Sequence, residues 1–473
     1  MKPNESPENS AGFLSRAAAV VVAFASVVGS GVIVLPAAVL AESGSAAVLV
    51  WIATALLCIP MIMLFRDTVL HGDGDPDPLR SSVRRGLGPA AGRMVPVCFS
   101  LVVVVGLPTS AVAGAHFLGT VIPLPVPPAA VAAILLGIAA ITNLAGGRTS
   151  ARLQGWVAGI LVVVLVAAAL GAISHPVRSP HLVPEAAGLG VVPSGMLIAF
   201  WAFVGFENLT FVARDMRNPR RDFGFVAAVA LGLLVSLAVL LTVAIARQMD
   251  TVDPLTGVVD ALRVGRPGPT IAAVVAAVGA AGVLLNALAW VRGCALVLDA
   301  AAGEGIFPTR LATPGQTPRR AICALTLGFV ATLGVLARWP EAVVDLMAAA
   351  SAVFVIIYVL CILAHLRQHP PIAWAVANAL VLPVMITMLI GSGWRSVYGL
   401  VVLVLAALIS GPIFRRRASD RSPAPPGTDG HASVSCPPLA APPLRVTQGR
   451  TYRGGAAREP SGPSWPVDAG MAG

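Results

Sequence analysis

The acidic residue best placed to handle a proton in this sequence is Glu207, in the run AFWAFVGFENLTFV from Ala199 to Val212. It lies in the middle of an apolar segment, beside Gly205 and the aromatic residues Trp201 and Phe203. An ionisable group in such a position marks a proton relay or a substrate pathway. The apolar segments hold no clustered His, Asp and Glu residues and no nucleophile next to a base, so an enzyme is not predicted. CxxC and HExxH motifs do not occur, and no metal and no cofactor are predicted.

A second unusual stretch is VVGSGVIVLP, in which Gly29, Ser30 and Gly31 lie side by side within about two dozen apolar residues. Two glycines and a serine weaken a helix, and lipid offers no water to backbone groups that lose their partners. The stretch is therefore either a patch of small residues where another helix approaches closely or a break in a helix.

These stretches belong to an all-α polytopic membrane protein. The 473 residues are 57% hydrophobic and only 11% charged, whereas a soluble domain carries about 25% charged residues. The apolar runs are about 18–25 residues long, which is enough to cross a hydrocarbon core. The net charge of +10 does not indicate a nucleic-acid partner, because the arginines flank apolar runs instead of forming a stripe.

About twelve transmembrane helices are predicted, numbered here as spans one to twelve. They lie near residues 17–40, 45–65, 93–121, 127–145, 154–174, 193–213, 223–246, 268–300, 320–338, 341–366, 372–390 and 394–414. Residues 1–16 are predicted to form a polar N-terminal segment, and residues 416–473, rich in Pro, Gly and Ser, a disordered tail. The loop HGDGDPDPLRSSVRRG after span two lacks the Gly and Glu of a calcium loop and is interpreted as a solvated turn.

Basic residues set the predicted orientation of the spans. If the N-terminus is cytoplasmic, Arg and Lys residues in the inner loops outnumber those in the outer loops by about three to one. The outer loops then hold Arg178, Arg247, Arg263, Arg266, Arg338 and Arg395. Both termini are therefore predicted to lie in the cytoplasm.

The two weak points lie in spans one and six, five spans apart. Paired interruptions in corresponding halves indicate a transporter whose binding site lies near the membrane midplane. The transporter domain is predicted over residues 17–415, with repeat one at about 17–174, repeat two at about 193–366 and two extra helices at about 372–414. A broken helix offers free N–H groups and free carbonyls, which a zwitterionic amino acid needs for its carboxylate and its ammonium group.

At these motifs the sequence resembles the amino acid–polyamine–organocation permeases. GSGVIVLP matches the family's signature in span one, FWAFVGFEN with RNPRRD matches its sixth span and following loop, and GEGIFP resembles its loop after span eight. Four stretches, VGLPTSAVAG, GGRTSARLQGWVAGILV, FWAFVGFENL and GWRSVYGL, resemble the bacterial subfamily that exports methionine and branched-chain amino acids. The resemblance covers about residues 12–415. It implies a LeuT-like fold of 5+5 inverted repeats with broken helices 1 and 6, plus two C-terminal helices.

The resemblance also implies a substrate site at the two breaks. The family's substrate carboxylate meets the break in span one, which here is Ser30 and Gly31 with Gly29 beside them. Gly205 marks the second break. The carbonyls that meet the ammonium group would here belong to Val27, Trp201 and Val204.

Aromatic residues and span three should shape the rest of the site. The family's aromatic gate falls on Trp201, which could instead be an interfacial anchor, and Phe203 could contribute to the pocket. Trp290 in span eight matches another aromatic residue that lines the pathway in arginine/agmatine-type relatives. Span three reads VVVVGLPTSA, apolar apart from Thr109 and Ser110, and this favours a hydrophobic substrate side chain.

Proton coupling is predicted over sodium coupling. Glu207 could carry the coupled proton, or it could be a structural acid that binds the unwound backbone of span one. Some family members place a lysine in span five in the role of a sodium ion, but the only lysine here is Lys2. A sodium site would also need hydroxyl groups in span eight, and residues 277–298 contain no Ser or Thr.

The sequence thus predicts a secondary active transporter of a neutral hydrophobic amino acid, working by alternating access. Proton-coupled export across the bacterial inner membrane is the first prediction, with lipid as the surroundings and no nucleic-acid partner. An importer or exchanger of different specificity is the alternative, and a non-transporting amino acid sensor is the alternative from another class. The oligomeric state is left open.

Overall fold

The computed structural model describes residues 14–27, 30–71, 77–122, 125–146, 151–209, 213, 216–265, 268–313 and 317–410. The predicted tail and most of the predicted N-terminal segment lie outside these residues. Within them, nine helical stretches are long and apolar enough to cross a membrane, and two shorter apolar helices lie at 128–144 and 188–203. Together these stretches account for all twelve predicted spans, because the stretch Gly31–Asp67 covers span two as well as part of span one.

Span six is divided, and span one is described as two helical stretches on either side of residues 28 and 29. Span one consists of helix 1a, Arg16–Val27, and helix 1b, Ser30–Ser43. Span six begins with helix 6a, Val192–Phe200, and continues as two 3₁₀ turns, Trp201–Phe203 and Phe206–Asn208. The interruption in span six falls where the weak point of the sequence predicted it, and residues 28 and 29, at the predicted break in span one, lie outside the described residues.

The other spans are continuous helices. Spans two to five are Ala47–His71, Pro89–Val121, Pro128–Leu144 and Ala151–Ser174, and spans seven to nine are Pro219–Gln248, Gly268–Gly303 and Arg319–Arg338. Spans ten to twelve are Val343–Arg367, Ile372–Gly391 and Val397–Ser410, and short helices lie at Pro78–Leu87 and Gly257–Val264. The remaining 3₁₀ turns are Gly44–Ala46, Ala186–Val191, Thr309–Leu311, Pro340–Ala342 and Gly393–Ser396.

Burial separates the central spans from the peripheral ones. In spans three and ten, 78% of the most apolar window is buried, against 22% in span eleven and 28% in span twelve. Span three packs against helix 1b and against spans four, eight, nine, ten and twelve. A helix that is apolar on all sides is buried by neighbours or by lipid. The two C-terminal helices therefore lie at the edge, as the prediction of two extra helices requires.

The loop after span two differs from its prediction as a solvated turn. Its second half is the helix Pro78–Leu87, and its first half, residues 72–76, lies outside the described residues. Asp77 caps this helix by accepting a hydrogen bond from the Arg80 N–H at 3.0 Å, and a proline at the first position favours the helical start. Leu79 and Val83 are buried against spans three and ten. This packing stabilises the helix, and it cannot be predicted from the sequence of the loop alone.

Candidate functional site

The break in span six is built around one glycine. After the turn Trp201–Phe203, Val204 is extended, and Gly205 adopts φ 116° and ψ −13°, in the left-handed region. A residue with a Cβ atom is strained in this region, whereas glycine is not. The chain then enters the turn Phe206–Asn208. The Val204 N–H donates to the Trp201 carbonyl at 3.3 Å, which leaves that carbonyl one further lone pair for a ligand.

Glu207 connects this break to span ten. Its side chain is 3% exposed, and its Oε2 atom accepts hydrogen bonds from the Gly205 N–H at 3.0 Å and from the Tyr358 hydroxyl at 2.9 Å. The sequence offered a bond to the backbone of span one as the structural role for this acid. These two bonds go to the break in span six itself and to a tyrosine that was not predicted. A bond to the backbone of span one stays a prediction, because residues 28 and 29 lie outside the described residues.

The start of helix 1b lies close to span six. Helix 1a ends at Val27 and helix 1b begins at Ser30, while Val28, Gly29 and the side chains of Val27 and Ser30 lie outside the described residues. A Cβ atom built on Gly31 would lie 3.1 Å from the Cα atom of Ala202. The start of helix 1b therefore passes directly against the break in span six, and only a residue without a side chain fits this approach without displacing its neighbour.

Four aromatic residues form a group beside the breaks, and Phe354 in span ten is its centre. The Phe354 ring lies edge-on to Trp201, Trp290 and Phe99, with centroid distances of 6.5, 6.3 and 6.1 Å. Trp290 also stacks on Phe99 at 5.8 Å. The structure thus brings together Trp201 and Trp290, two residues predicted from separate spans. Phe99 and Phe354 escaped prediction, although Phe354 and Tyr358 are four residues apart and so share one helical face.

Phe203 belongs to a different contact. It is 1% exposed and lies 6.3 Å from the ring of Trp51 in span two and 6.3 Å from Phe206, on which it stacks. The Trp51 indole N–H donates to the Thr242 hydroxyl in span seven at 3.0 Å. Phe203 therefore packs span six against span two and is not part of the group around Phe354.

Span three contacts Trp201 through Gly106 and Ser110. The Trp201 indole N–H donates to the Ser110 hydroxyl at 3.3 Å, and the edge of its ring occupies the space that a side chain at Gly106 would need. The Thr109 hydroxyl donates to the carbonyls of Val105 and Gly106 at 3.2 and 2.7 Å. Both hydroxyl groups of this segment are thus engaged within the protein, and what they leave is an apolar wall.

A proline interrupts the hydrogen bonds of span three at the same level. Pro108 has no N–H, so the carbonyl of Val104, four residues earlier, has no donor within the helix. The Thr332 hydroxyl in span nine donates to this carbonyl at 2.9 Å. Span nine thereby supplies the hydrogen bond that the proline removes.

Ion pairs join the helices at the end of the bundle where helix 1a begins. Arg16 binds Asp222, at the start of span seven, through Nε at 2.9 Å and a terminal nitrogen at 2.5 Å. Arg80 of the loop helix binds both carboxylate oxygens of Glu304, which follows span eight. This hydrogen-bonded arginine lowers the pKa of Glu304 below its ordinary value. In addition, His365 lies 3.4 Å from Asp67.

A cavity of about 570 Å³ lies at the opposite end of the bundle, away from the breaks. It is lined by the last turn of helix 1b and by the loops after spans five and seven, including Leu40, Gly44, Arg178 and Asp250. No group of three or more His, Cys, Asp or Glu residues that could hold a metal occurs in the described part of the chain.

Comparison with known proteins agrees with this geometry. The sequence model of a family described as amino acid permease matches residues 14–415. The L-methionine/branched-chain amino acid exporter YjeH of Escherichia coli (strain K12) is 25% identical over 411 residues, which cover 80% of this chain and 91% of that protein.

Two solved structures share the fold. MhsT in complex with L-phenylalanine has a TM-score of 0.56 at 18% identity, covering 84% of this chain and 99% of its own. A mutant manganese transporter of Eremococcus coleocola has a TM-score of 0.58 at 13% identity, covering 89% and 97%. These likenesses confirm the predicted LeuT-like fold with its two broken helices.

Proposed function

This chain belongs to the amino acid permease family and is a multi-pass membrane protein that transports amino acids, not an enzyme; from this premise we propose that it exports a neutral, hydrophobic amino acid by proton-coupled alternating access. Methionine and the branched-chain amino acids are the proposed substrates. The membrane is proposed to be the bacterial inner membrane, with both termini in the cytoplasm, because most Arg and Lys residues lie in the loops on that side.

We propose that backbone groups at the two breaks bind the carboxylate and the ammonium group of the substrate. Ser30 and Gly31, with Gly29 before them, would bind the carboxylate at the start of helix 1b, since the first turn of a helix offers N–H groups and the positive end of the dipole. Carbonyls of Val27, Trp201 and Val204 would bind the ammonium group. The close approach of Gly31 to Ala202 supports this proposal, because one small molecule can then touch both breaks.

The proposed side-chain pocket is apolar. Trp201, Trp290, Phe99 and Phe354 form one group, and span three closes it with Gly106 and two hydroxyl groups that already have partners. A cationic substrate side chain would need a carboxylate at this place. The only acid found at the breaks among the described residues is Glu207, and its Oε2 atom is occupied by Tyr358 and Gly205.

Glu207 is the proposed proton carrier. Its carboxyl group is buried and bound to the N–H group that forms the break, so gain or loss of a proton would change the bonds that hold this part of span six. Tyr358 transmits the same change to span ten. Binding of a proton and the shape of the substrate site are thereby linked, which is what coupling requires. Sodium is not proposed as the coupling ion.

The observation that carries the proposal is the meeting of two helix breaks beside one apolar, aromatic group. Export is proposed because the relative YjeH is an exporter. The test is flux of labelled methionine, leucine, isoleucine, valine and arginine through proteoliposomes, with and without a proton gradient. We expect the hydrophobic amino acids to be transported and to outcompete arginine. We also expect a proton gradient directed inward to drive their exit. Preferred transport of arginine would overturn the substrate class.

A further inference from the structure

Arg395 lies in the stretch GWRSVYGL, to which the proposed function gives no role. It belongs to the 3₁₀ turn Gly393–Ser396, directly before span twelve. Its side chain is 17% exposed, although the span that follows it lies at the edge of the bundle. A guanidinium group buried to this extent needs partners, because an unpaired charge away from water is costly.

The partners of Arg395 come from three other helices. Its Nε atom donates to Asp345 at 2.7 Å, and its two terminal nitrogens donate to the two carboxylate oxygens of Glu42 at 2.8 and 3.2 Å. One terminal nitrogen also lies 2.6 Å from the Ser194 hydroxyl, which itself donates to Glu42 at 2.5 Å. These four side chains, Glu42, Ser194, Asp345 and Arg395, are called the latch below.

The latch joins the helices that lead into both breaks. Glu42 is in the last turn of helix 1b, Ser194 is in the first turn of helix 6a, and Asp345 is in the first turn of span ten. Helices 1b and 6a are also in tight contact here, since a Cβ atom on Gly195 would overlap the Ser43 hydroxyl. Arg395 thus holds one end of both half-helices against the span that carries Phe354 and Tyr358.

The charges of the latch stabilise it when it is formed and also allow its side chains to move apart. One guanidinium faces two carboxylates that are 25% and 28% exposed, so the interaction is less screened than a pair on the open surface. Both carboxylates remain close enough to water to be solvated when the arginine moves away. An interaction of this kind can exist in one conformation and be released in another.

We propose that Arg395 is a positioning residue for transport, which holds helices 1b and 6a to span ten while this end of the pathway is closed and releases them when it opens. The proposal rests on the proposed alternating access. Helix 1b begins and helix 6a ends at the proposed substrate site, so movement of their other, latched ends opens or closes the route between that site and this face of the membrane. Removal of the latch therefore favours the conformation that is open at this face.

The test compares apparent affinities at the two faces of the membrane. The wild type, Arg395→Gln and the control Arg178→Gln are reconstituted in one known orientation, and the KM for methionine is measured from each side. Arg178 suits the control because it pairs with Asp250 at the same end but is 40% exposed and touches neither half-helix through that pair. We expect Arg395→Gln to lower the KM at the latch face and to raise it at the other face, each by about fivefold, because a ligand's apparent affinity follows the fraction of protein in the competent state. Arg178→Gln should change neither value.

A purely structural role would give a different result. Loss of flux with both KM values unchanged, or with both moving in the same direction, would overturn the latch. If Arg395→Gln fails to fold, Glu42→Gln and Asp345→Asn decide, because each leaves Arg395 with one carboxylate; opposite shifts of about twofold support the latch and their absence overturns it. A wild type that moves no amino acid would overturn the proposed function and the latch with it, whereas normal wild-type flux with unshifted KM values overturns the latch alone.

Discussion

The two breaks interrupt their spans by different means. In span one the predicted break lies at Gly29, Ser30 and Gly31, where the sequence offers no charged group and the fit of Gly31 against Ala202 depends on the lack of a side chain. Span six breaks at a left-handed glycine next to a buried acid that binds both the break and Tyr358. The difference fits the proposed division of roles, in which the first break offers fixed backbone groups to the substrate and the second responds to a proton.

The sharpest test of this division is Glu207→Gln. Glutamine has nearly the same shape and keeps an oxygen that can accept from Tyr358, but it cannot lose a proton. We expect proton-driven flux to fall by about tenfold or more, equivalent to about 1.4 kcal/mol or more. Binding of methionine, measured by calorimetry, should persist. Undiminished dependence of flux on pH would give both breaks the same passive role.

Gly205→Ala should have the next largest effect. Alanine at φ 116° is strained by about 1–3 kcal/mol, so the turn that presents the Gly205 N–H to Glu207 must shift. We expect flux to fall by about tenfold and the melting temperature to decrease, since the strain acts on the folded state. Gly159→Ala in span five is the matched control, because a Cβ atom at that position meets nothing within 4 Å. Equal flux in the two variants would contradict a role for the left-handed turn.

Gly31→Ala tests the first break and should act more mildly. The new methyl group would lie 3.1 Å from the Ala202 Cα atom, and helix 1b and the turn Trp201–Phe203 must separate by a few tenths of an ångström. We expect the KM for methionine to rise about threefold while the pH dependence of flux stays unchanged, because substrate contact and not proton binding is disturbed. Gly293→Ala, in open space on span eight, is the control. A changed pH profile would show that the breaks do not divide their roles.

Glu304→Gln should have the smallest effect on coupling. Arg80 lowers the pKa of Glu304, so this carboxylate is fully ionised at any pH above its ordinary pKa. Its contribution to stability is lost only as the pH falls through the lowered pKa. It therefore cannot titrate between pH 5 and pH 8. We expect the pH profile of flux over that range to match the wild type. A shifted profile would assign proton coupling to this end of the bundle instead of the second break.

Local sequence was sufficient to predict the breaks but not what surrounds them. Small residues within an apolar run have a local energetic meaning, and the break at Val204–Asn208 could be located by it, whereas the predicted break at Gly29–Gly31 begins outside the described residues. Phe99, Phe354 and Tyr358 could not, because an aromatic residue in a membrane span looks the same in sequence whether it faces lipid, a neighbouring helix or a substrate. Phe203 shows the converse, since adjacency to Trp201 in sequence did not place the two rings in one group.

The hydrogen bond between the Thr332 hydroxyl and the Val104 carbonyl makes the residues at positions 108 and 332 depend on each other during evolution. The hydroxyl has this partner because Pro108 frees the carbonyl, and the carbonyl tolerates the proline because the hydroxyl is present. In a relative without proline at position 108, valine at position 332 is acceptable, because the carbonyl at position 104 then has a donor within its own helix. Where the proline is retained, the same valine leaves this buried carbonyl without a hydrogen-bond donor. A chimera that imports span nine from such a relative must therefore bring span three with it.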